Sequence, residues 1–183
     1  MRFYVSLLSI IIVILGGCEQ SSDMAYEFSI NNVSISQAYQ ALDIRVQQNL
    51  VLSQQAREAL EHGVTLTIEL EMELRNDMAA MVMRRSARYF ELRYLPLIER
   101  YQLSDGESVE LQSFSRLRHL LAAIADLNVH VTTGPLAAGN YELRTRIHLD
   151  ESRLPTPMRL PAWVSPQWRH DSDWSVWPFI ISA

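Results

Sequence analysis

The sequence predicts a mainly β (α+β) protein: an antiparallel, sandwich-like β-sheet with two short helices and a Pro/Trp-rich C-terminal arm. Three observations predict this fold class. Apolar and polar residues alternate along four separate segments, which is the pattern of strands with one buried face. Only two segments change to helical spacing. The last thirty residues contain all four tryptophans and five of the seven prolines.

The longest alternating segment predicts a strand over residues 64–74. Its apolar row is Val64, Leu66, Ile68, Leu70, Met72 and Leu74, and its polar row includes Glu69, Glu71 and Glu73. Similar alternation predicts strands over residues 42–46, 90–94 and 141–149, the second of which ends before Pro96 because proline cannot continue a strand ladder. Shorter strands are expected at 27–35, 99–103 and 107–111, with Asp105-Gly106 as a hairpin signal between the last two.

Two segments predict helices. Ser53 is a suitable N-cap for a short helix that buries Ala56, Ala59 and Leu60 and ends at Gly63. Residues 114–128 show three-and-four apolar spacing, which predicts an amphipathic helix. Residues 77–85 allow either a short helix or a connection. The C-terminal arm is expected to be extended and to lie over the sheet, because its prolines exclude a central strand.

Composition excludes several mechanisms. The sixteen Lys+Arg residues are all arginine, so a lysine nucleophile, a Schiff base and a P-loop lysine are absent. The single cysteine excludes internal disulfides and cysteine-rich zinc sites. A net charge of −5 without a basic run argues against a nucleic-acid partner. We therefore expect no cofactor and no bound metal.

The first residues predict export. Residues 1–17 have the form of a signal peptide: Arg2, an apolar run, and the small residues Gly16 and Gly17. The sequence Leu15-Gly16-Gly17-Cys18 resembles the bacterial lipobox, which implies cleavage before Cys18 and lipidation of that cysteine. The alternative is a cysteine that follows an ordinary signal peptide. Residues 18–25 would then be a lipid-anchored tether and residues 26–183 one globular domain, with Glu19 favouring the outer membrane over the inner.

Candidate catalytic groups are sparse. His170, Asp171 and Ser172 include every residue type of a serine triad, but adjacency does not give triad geometry and no GxSxG motif is present. We expect no catalytic residue, and an envelope hydrolase using these three residues is the alternative. His148 and Asp150 could form a metal pair, but a solvated strand edge is the preferred interpretation.

Two surfaces remain as candidates. Glu69, Glu71 and Glu73 are expected to form a charge ladder with arginines of a neighbouring strand, Arg144 and Arg146, or with Arg93. The tryptophans of the arm are either a ligand or partner surface or part of the core, and the prolines between them favour the core. These tryptophans are Trp163, Trp168, Trp174 and Trp177.

Ordered landmarks along the chain resemble a family. They are Leu52-Ser53 through Ala56-Arg57-Glu58-Ala59-Leu60 to Gly63-Val64, then Arg93-Tyr94 and Glu99-Arg100-Tyr101, then Tyr141 to Arg146, Leu149-Asp150 and Leu154-Pro155, and finally Trp168 to Trp174. Together they resemble the proteobacterial family called domain of unknown function 4390, over roughly residues 27–178. The resemblance implies no activity and no catalytic residues. Genes of this family often lie near a sensor histidine kinase gene, which implies a role in envelope signalling.

The sequence thus predicts a non-enzymatic periplasmic lipoprotein that binds an envelope component or assists signalling. The expected partners are the membrane, through the lipid anchor, and an envelope protein, for which the gene neighbourhood suggests a sensor kinase.

Overall fold

The computed structural model describes residues 27–76, 81–106 and 110–182. The predicted signal peptide, Cys18 and the tether lie outside these ranges, as do residues 77–80 and 107–109. No helix within the described ranges is long and apolar enough to cross a membrane.

The described residues form β-strands, three short α-helices and two 3₁₀ turns. The order is β1 (Glu27–Ala38), β2 (Ala41–Val51), α1 (Gln54–Glu61), β3 (Leu66–Asn76), β4 (Met81–Leu95), β5 (Arg100–Asp105), β6 (Leu111–Phe114), α2 (Leu117–Ala123), β7 (Asp126–Thr132), β8 (Gly139–Leu149), α3 (Thr156–Val164) and β9 (Ser175–Ile181). The 3₁₀ turns, Glu151–Arg153 and Pro166–Trp168, lie on either side of α3.

These strands form two antiparallel sheets. The small sheet has the order β1-β2-β7 and the large sheet has the order β6-β5-β4-β3-β8-β9. Every strand pair is antiparallel. The predicted class, mainly β with an antiparallel architecture, is therefore confirmed.

The alternating rows form the core. On β3 the even-numbered residues from Leu66 to Leu74 are all at most 3% exposed, as their spacing predicted. Phe90 and Leu92 of β4 lie in the same core, as do the apolar odd-numbered residues of β8, which are Tyr141, Leu143, Ile147 and Leu149. Because β3 lies between β4 and β8, its apolar row is the centre of the inner face of the large sheet. β4 ends at Leu95, directly before Pro96, as predicted.

The first predicted helix is confirmed as α1. The Ser53 hydroxyl accepts a hydrogen bond of 3.1 Å from the Ala56 amide, which satisfies one of the unpaired N–H groups of the first turn. Ala56 and Leu60 are fully buried. Gly63 has φ +88°, a left-handed conformation that a Cβ would strain, so glycine ends the helix here.

The second helix is shorter than predicted. Helix α2 covers only Leu117–Ala123, whereas Phe114 already pairs with Tyr101 in β6 and Leu127 pairs with Val46 in β7. The prediction of a helix over residues 114–128 was wrong at both ends. After Ile124 the apolar side chains Val129 and Val131 alternate, and pairing with β2 satisfies the backbone in this segment better than further helical turns would.

Two other segments also differ from the predictions. Residues 81–85, left open between helix and connection, are strand: β4 begins at Met81 and pairs with β3 as far as Leu92. A strand was predicted over residues 107–111, but β6 begins only at Leu111. Its antiparallel pairing with β5 confirms the predicted hairpin.

The C-terminal arm is not extended throughout. Residues Thr156–Val164 form helix α3, whose first turn contains Pro157, a position where the missing proline N–H costs nothing. The fully buried Ala162 faces the core from this helix. Only β9 is extended, and it is an edge strand, where Pro178 is tolerated.

The Ser53 cap gives a direct test of this local structure. We expect Ser53→Ala to lower the free energy of unfolding by about 1 kcal/mol, because the Ala56 amide loses its acceptor. Urea unfolding followed by circular dichroism measures this change. Ser34→Ala, at an exposed position of β1, is the control and should leave the stability nearly unchanged. Equal effects of the two substitutions would contradict the capping role.

Candidate functional site

The outer face of the large sheet contains the two predicted charged rows. In the β3–β8 register Glu69 lies opposite His148, Glu71 opposite Arg146 and Glu73 opposite Arg144. Strand β3 has a period of two, so burial of its apolar row leaves all three carboxylates on the opposite face. The predicted arrangement of a glutamate row facing an arginine row across the sheet is thus present in the backbone register.

Arg146 joins this face to the C-terminal segment. Its Nε donates to both oxygens of Asp171, at 2.9 and 3.1 Å, its Nη2 contacts the same carboxylate, and its Nη1 lies 3.6 Å from Glu71 Oε1. Burial alone would raise the pKa of Asp171, but the hydrogen bonds from Arg146 and from the Asp173 amide outweigh it and lower that pKa. Asp171 is therefore held as a carboxylate, and Arg146 is shared between two acids.

Arg144 does not pair with the glutamate opposite it. Glu73 instead bonds Arg75 Nη2 at 2.7 Å and Arg85 Nε at 2.9 Å. The Arg144 guanidinium lies 5.3 Å from the ring centroid of Trp174, and its buried Nε has no hydrogen-bond partner among the described residues. Two nearer arginines satisfy Glu73, so Arg144 makes a cation–π contact rather than the expected ladder pair.

His148 lies between two carboxylates. Its Nε2 is 3.5 Å from Glu69 Oε2 and its Nδ1 is 3.5 Å from Glu71 Oε1. The interpretation of this position as a solvated strand edge was wrong, because β8 lies inside the sheet between β3 and β9 and the His148 side chain is only 18% exposed. Within the described ranges no group of three His, Cys, Asp or Glu residues is arranged to hold a metal ion.

Tyr89 and Arg153 extend this polar network towards the end of the sheet. A hydrogen bond to Glu69 is the largest cause of the raised pKa of Tyr89. The Arg153 guanidinium lies 4.1 Å from the Tyr89 ring centroid, and its Nε bonds Asp150 Oδ2 at 3.1 Å. The turn after β8 is thereby fixed against the outer face.

A shallow cavity of about 470 Å³ opens where β8 meets the segment that follows α3. We call it the charged depression. Leu149 is the one apolar residue of its lining, and the other lining residues carry both signs of charge, so it suits a charged or hydrogen-bonding ligand better than an apolar small molecule. The lining residues are Arg146, His148, Leu149, Asp150, Glu151, Arg169, His170, Asp171 and Asp173.

His170 forms the floor of this depression and is 2% exposed. Its Nε2 accepts a hydrogen bond of 2.8 Å from the Ser53 amide, and its Nδ1 lies 3.2 Å from the Trp168 carbonyl, which requires the Nδ1–H tautomer as donor. Burial lowers the pKa of His170, so the neutral ring is favoured. The ring also packs on Phe28, at 5.1 Å between centroids. The histidine thus links the N-cap of α1, β1 and the C-terminal segment.

The three candidate triad residues do not converge. His170 faces Ser53, and Asp171 faces Arg146. The Ser172 hydroxyl accepts from the Ile147 amide and donates to the Asp173 carbonyl, both at 2.9 Å. A nucleophile needs its base within hydrogen-bonding reach, and each of these side chains is committed to a different structural partner.

The four tryptophans do not form one surface. Trp168 is buried at 5% exposure, which contradicts its assignment to a ligand surface. Trp177 faces the core because β9 alternates, and its Nε1 donates to Thr145 Oγ1 at 2.9 Å. Trp174 is half-buried beneath Arg144. Only Trp163, on α3, is largely exposed, at 72%.

Sequence reasoning missed two features. Leu160, Trp163 and Val164 form an exposed apolar face of α3, and their i, i+3, i+4 spacing is a helical signal that the prolines obscured. Arg88 lies on the inner face of β4, opposite Leu70, and forms an ion pair with Asp105. Its position two residues before Phe90 in the buried row was the available signal.

The fold and the site together define an antiparallel two-sheet domain with a charged depression beside its C-terminal segment. Comparison with protein-family models matches residues 25–178 to a domain of unknown function (DUF4390). The match covers most of the chain, which therefore belongs to that family, as the resemblance implied. Searches of the curated proteins and of the solved structures found no match.

The buried histidine makes the stability depend on pH. Folding lowers the pKa of His170 below 6.5, the ordinary histidine value. The contribution of the neutral ring to the free energy of unfolding is therefore complete above pH 6.5 and is lost as the pH falls below it. The loss is at most about 1.4 kcal/mol per pH unit. Urea unfolding at pH 7.5 and pH 5.5 should show that His170→Gln, which cannot titrate, loses this component of the pH dependence.

His170→Phe is the matched control for that experiment. It also cannot titrate, but it removes the acceptor for the Ser53 amide, so it should be less stable than His170→Gln at pH 7.5. If the free energy of unfolding changed equally for the wild type and for His170→Gln between pH 7.5 and pH 5.5, the pH dependence could not be assigned to this ring.

The Arg146–Asp171 pair should be energetically coupled. Both side chains are about 30% exposed, so solvent screens part of their attraction and we expect a coupling of about 1 kcal/mol. A double-mutant cycle of Arg146→Gln and Asp171→Asn, followed by urea unfolding, measures it. The more exposed pair Arg45–Asp126 is the comparison and should show a smaller coupling. Additive effects of the two substitutions would contradict the link.

Proposed function

We propose that this protein is a lipid-anchored protein on the periplasmic side of the cell envelope and that its domain is a non-enzymatic binding module. The charged depression is the observation that carries the proposal for the domain. The anchor is supported by the signal-like residues 1–17 and by the position of the only cysteine, Cys18, directly after Gly17.

The depression has the properties of a preorganised recognition surface. Arg146 and His170 hold the segment from Arg169 to Asp173 in place, so a ligand does not have to order it on binding. Positive and negative groups alternate within it, with Arg169 exposed beside Asp171 and Asp173. Such a pattern selects a partner by charge complementarity rather than by apolar burial.

The divergence of the triad residues supports binding rather than hydrolysis. Ser172 Oγ is engaged by the backbone of β8, and His170 is occupied by the Ser53 amide. An envelope protein is the partner that best fits an open depression of mixed charge, because a folded partner can present fixed charges to it. The periplasmic domain of a sensor kinase is one such partner, and Glu19 favours an outer-membrane location for the anchor.

Site-directed photocrosslinking in intact cells tests the binding function. A benzophenone amino acid replaces Arg169, an exposed arginine of the depression, in the full chain. We expect ultraviolet light to give one discrete protein adduct, identified by mass spectrometry. The matched control places the same probe at Arg118, an exposed arginine of α2, and should not give that adduct.

Two results would overturn the proposal. The first is that the probe at position 169 gives no adduct although the chain is present at its normal level, or that the probes at positions 169 and 118 give the same adducts. The second is release of soluble fragments from isolated envelopes by the purified chain, abolished by Ser172→Ala, which would establish the hydrolase instead. The intact mass of the same preparation tests the anchor: Cys18→Ala should lose the lipid mass and the amino terminus at residue 18.

A further inference from the structure

One end of the two sheets lies next to the start of the described chain. Glu27 pairs with Val51, and β2 leads from there into the cap of α1. Strand β8 ends on the same side, because Leu149 pairs with Ile68 near the start of β3. We call this the anchor end. The turn between β1 and β2, which contains Tyr39, lies at the opposite end.

Helix α3 lies at the anchor end and presents an apolar face to solvent. Leu160, Trp163 and Val164 are 75%, 72% and 67% exposed and share one face of the helix. The opposite face is fixed: Ala162 is fully buried, and Ser165 at the C-cap donates a hydrogen bond of 3.3 Å to Gln55 of α1. The exposed face is therefore held rigidly on the body of the protein.

The turn between β4 and β5 adds a second apolar group at the same end. Leu97 is fully exposed and Ile98 is 60% exposed. This turn lies next to α1, because the Tyr101 hydroxyl of β5 donates to Glu61 Oε1 at 3.2 Å. Of the ten large apolar side chains that are exposed in the described part of the chain, five lie at this end. Exposed apolar residues concentrated in this way mark an interaction surface.

The chain outside the described residues identifies what this surface meets. Nine residue steps separate Cys18 from Glu27, and at about 3.3–3.6 Å per step the tether reaches about 30 Å at most. A lipid on Cys18 therefore keeps the anchor end within one tether length of the bilayer. Tryptophan and leucine on one side of a helix are the side chains that enter the boundary between headgroups and acyl chains.

We propose that the anchor end is a membrane-contact surface: the apolar face of α3 and the Leu97–Ile98 turn insert into the interfacial region of the lipid layer that holds Cys18. The proposal rests on the lipid anchor of the proposed function. The contact is apolar rather than electrostatic, because the exposed side chains that would enter the lipid layer are Leu97, Ile98, Leu160, Trp163 and Val164. Its strength should therefore change little with salt.

Photocrosslinking to lipid tests this inference in living cells with the full chain. A benzophenone amino acid replaces Trp163, cells are labelled with radioactive phosphate, and the chain is purified after irradiation. The lipid expected on Cys18 contains no phosphate, so label on the chain reports only phospholipid captured by the probe. We expect severalfold more label with the probe at 163 than at Tyr39, a 90% exposed aromatic residue at the opposite end.

A probe at Leu97 should also capture phospholipid, whereas Leu160→Glu next to a probe at 163 should reduce the label. Neither substitution removes a buried side chain, so the fold is not at risk. Raising the salt concentration of isolated envelopes should leave the label at 163 unchanged; its loss would contradict an apolar contact.

The outcomes separate this inference from the anchor. Mass spectrometry of the same chain reports the lipid on Cys18. A lipidated chain with no phospholipid at 163, or with an adduct to another protein or to a second copy there, overturns the membrane contact and leaves the anchor intact. A chain without lipid overturns the anchor, and phospholipid captured at 163 would then still support the contact. Absence of both overturns both.

Discussion

The buried apolar row of β3 is the constraint on which the rest of the structure depends. Leu66 to Leu74 lie at the centre of the large sheet, so a shift of one residue would place five apolar side chains in water and Glu69, Glu71 and Glu73 in the core. The register is therefore fixed by burial. Once it is fixed, the positions of the charges on the outer face follow: Glu71 must lie opposite Arg146 and Glu69 opposite His148. The charged depression is thus a consequence of how the core packs.

A second constraint closes the anchor end. His170 is remote from Ser53 in sequence, but its neutral ring accepts the Ser53 amide and packs on Phe28. It connects the start of β1, the N-cap of α1 and the segment that forms one wall of the depression. Because a protonated ring could not accept this hydrogen bond, the closure requires a neutral ring, which burial favours by lowering the pKa of His170. The histidine that could have been a catalytic base in sequence is a structural link in the fold.

The sequence predicted those elements in which local pattern and tertiary burial agree. The rows of β2, β3 and β8, the Ser53 cap and the end of β4 at Pro96 all follow from period, propensity and proline chemistry. The errors lie where two patterns compete. Ile124 and Leu127 fit a helix, but β2 offered a strand partner to Leu127. Pro157 and Pro161 suggested an extended arm, but Pro157 is harmless in the first turn of α3, and this short helix also contains Pro161 in its interior. The partner of Arg144 depends on Trp174, thirty positions away, and no local pattern could indicate it.

The two proposals constrain each other through geometry. Asp150 and Arg169, which line the depression, lie immediately before and after the two 3₁₀ turns on either side of α3, so both ends of the segment that contains this helix meet at the depression. A domain that rests on lipid through α3 presents the depression close to the bilayer surface. Its partner must then present charged groups at the same height, as the membrane-proximal part of an anchored or membrane-spanning protein does. Confinement of both partners to one surface raises their effective concentration, so a small charged contact is sufficient for binding. An open depression of mixed charge, which would bind weakly in free solution, is therefore consistent with recognition at a membrane.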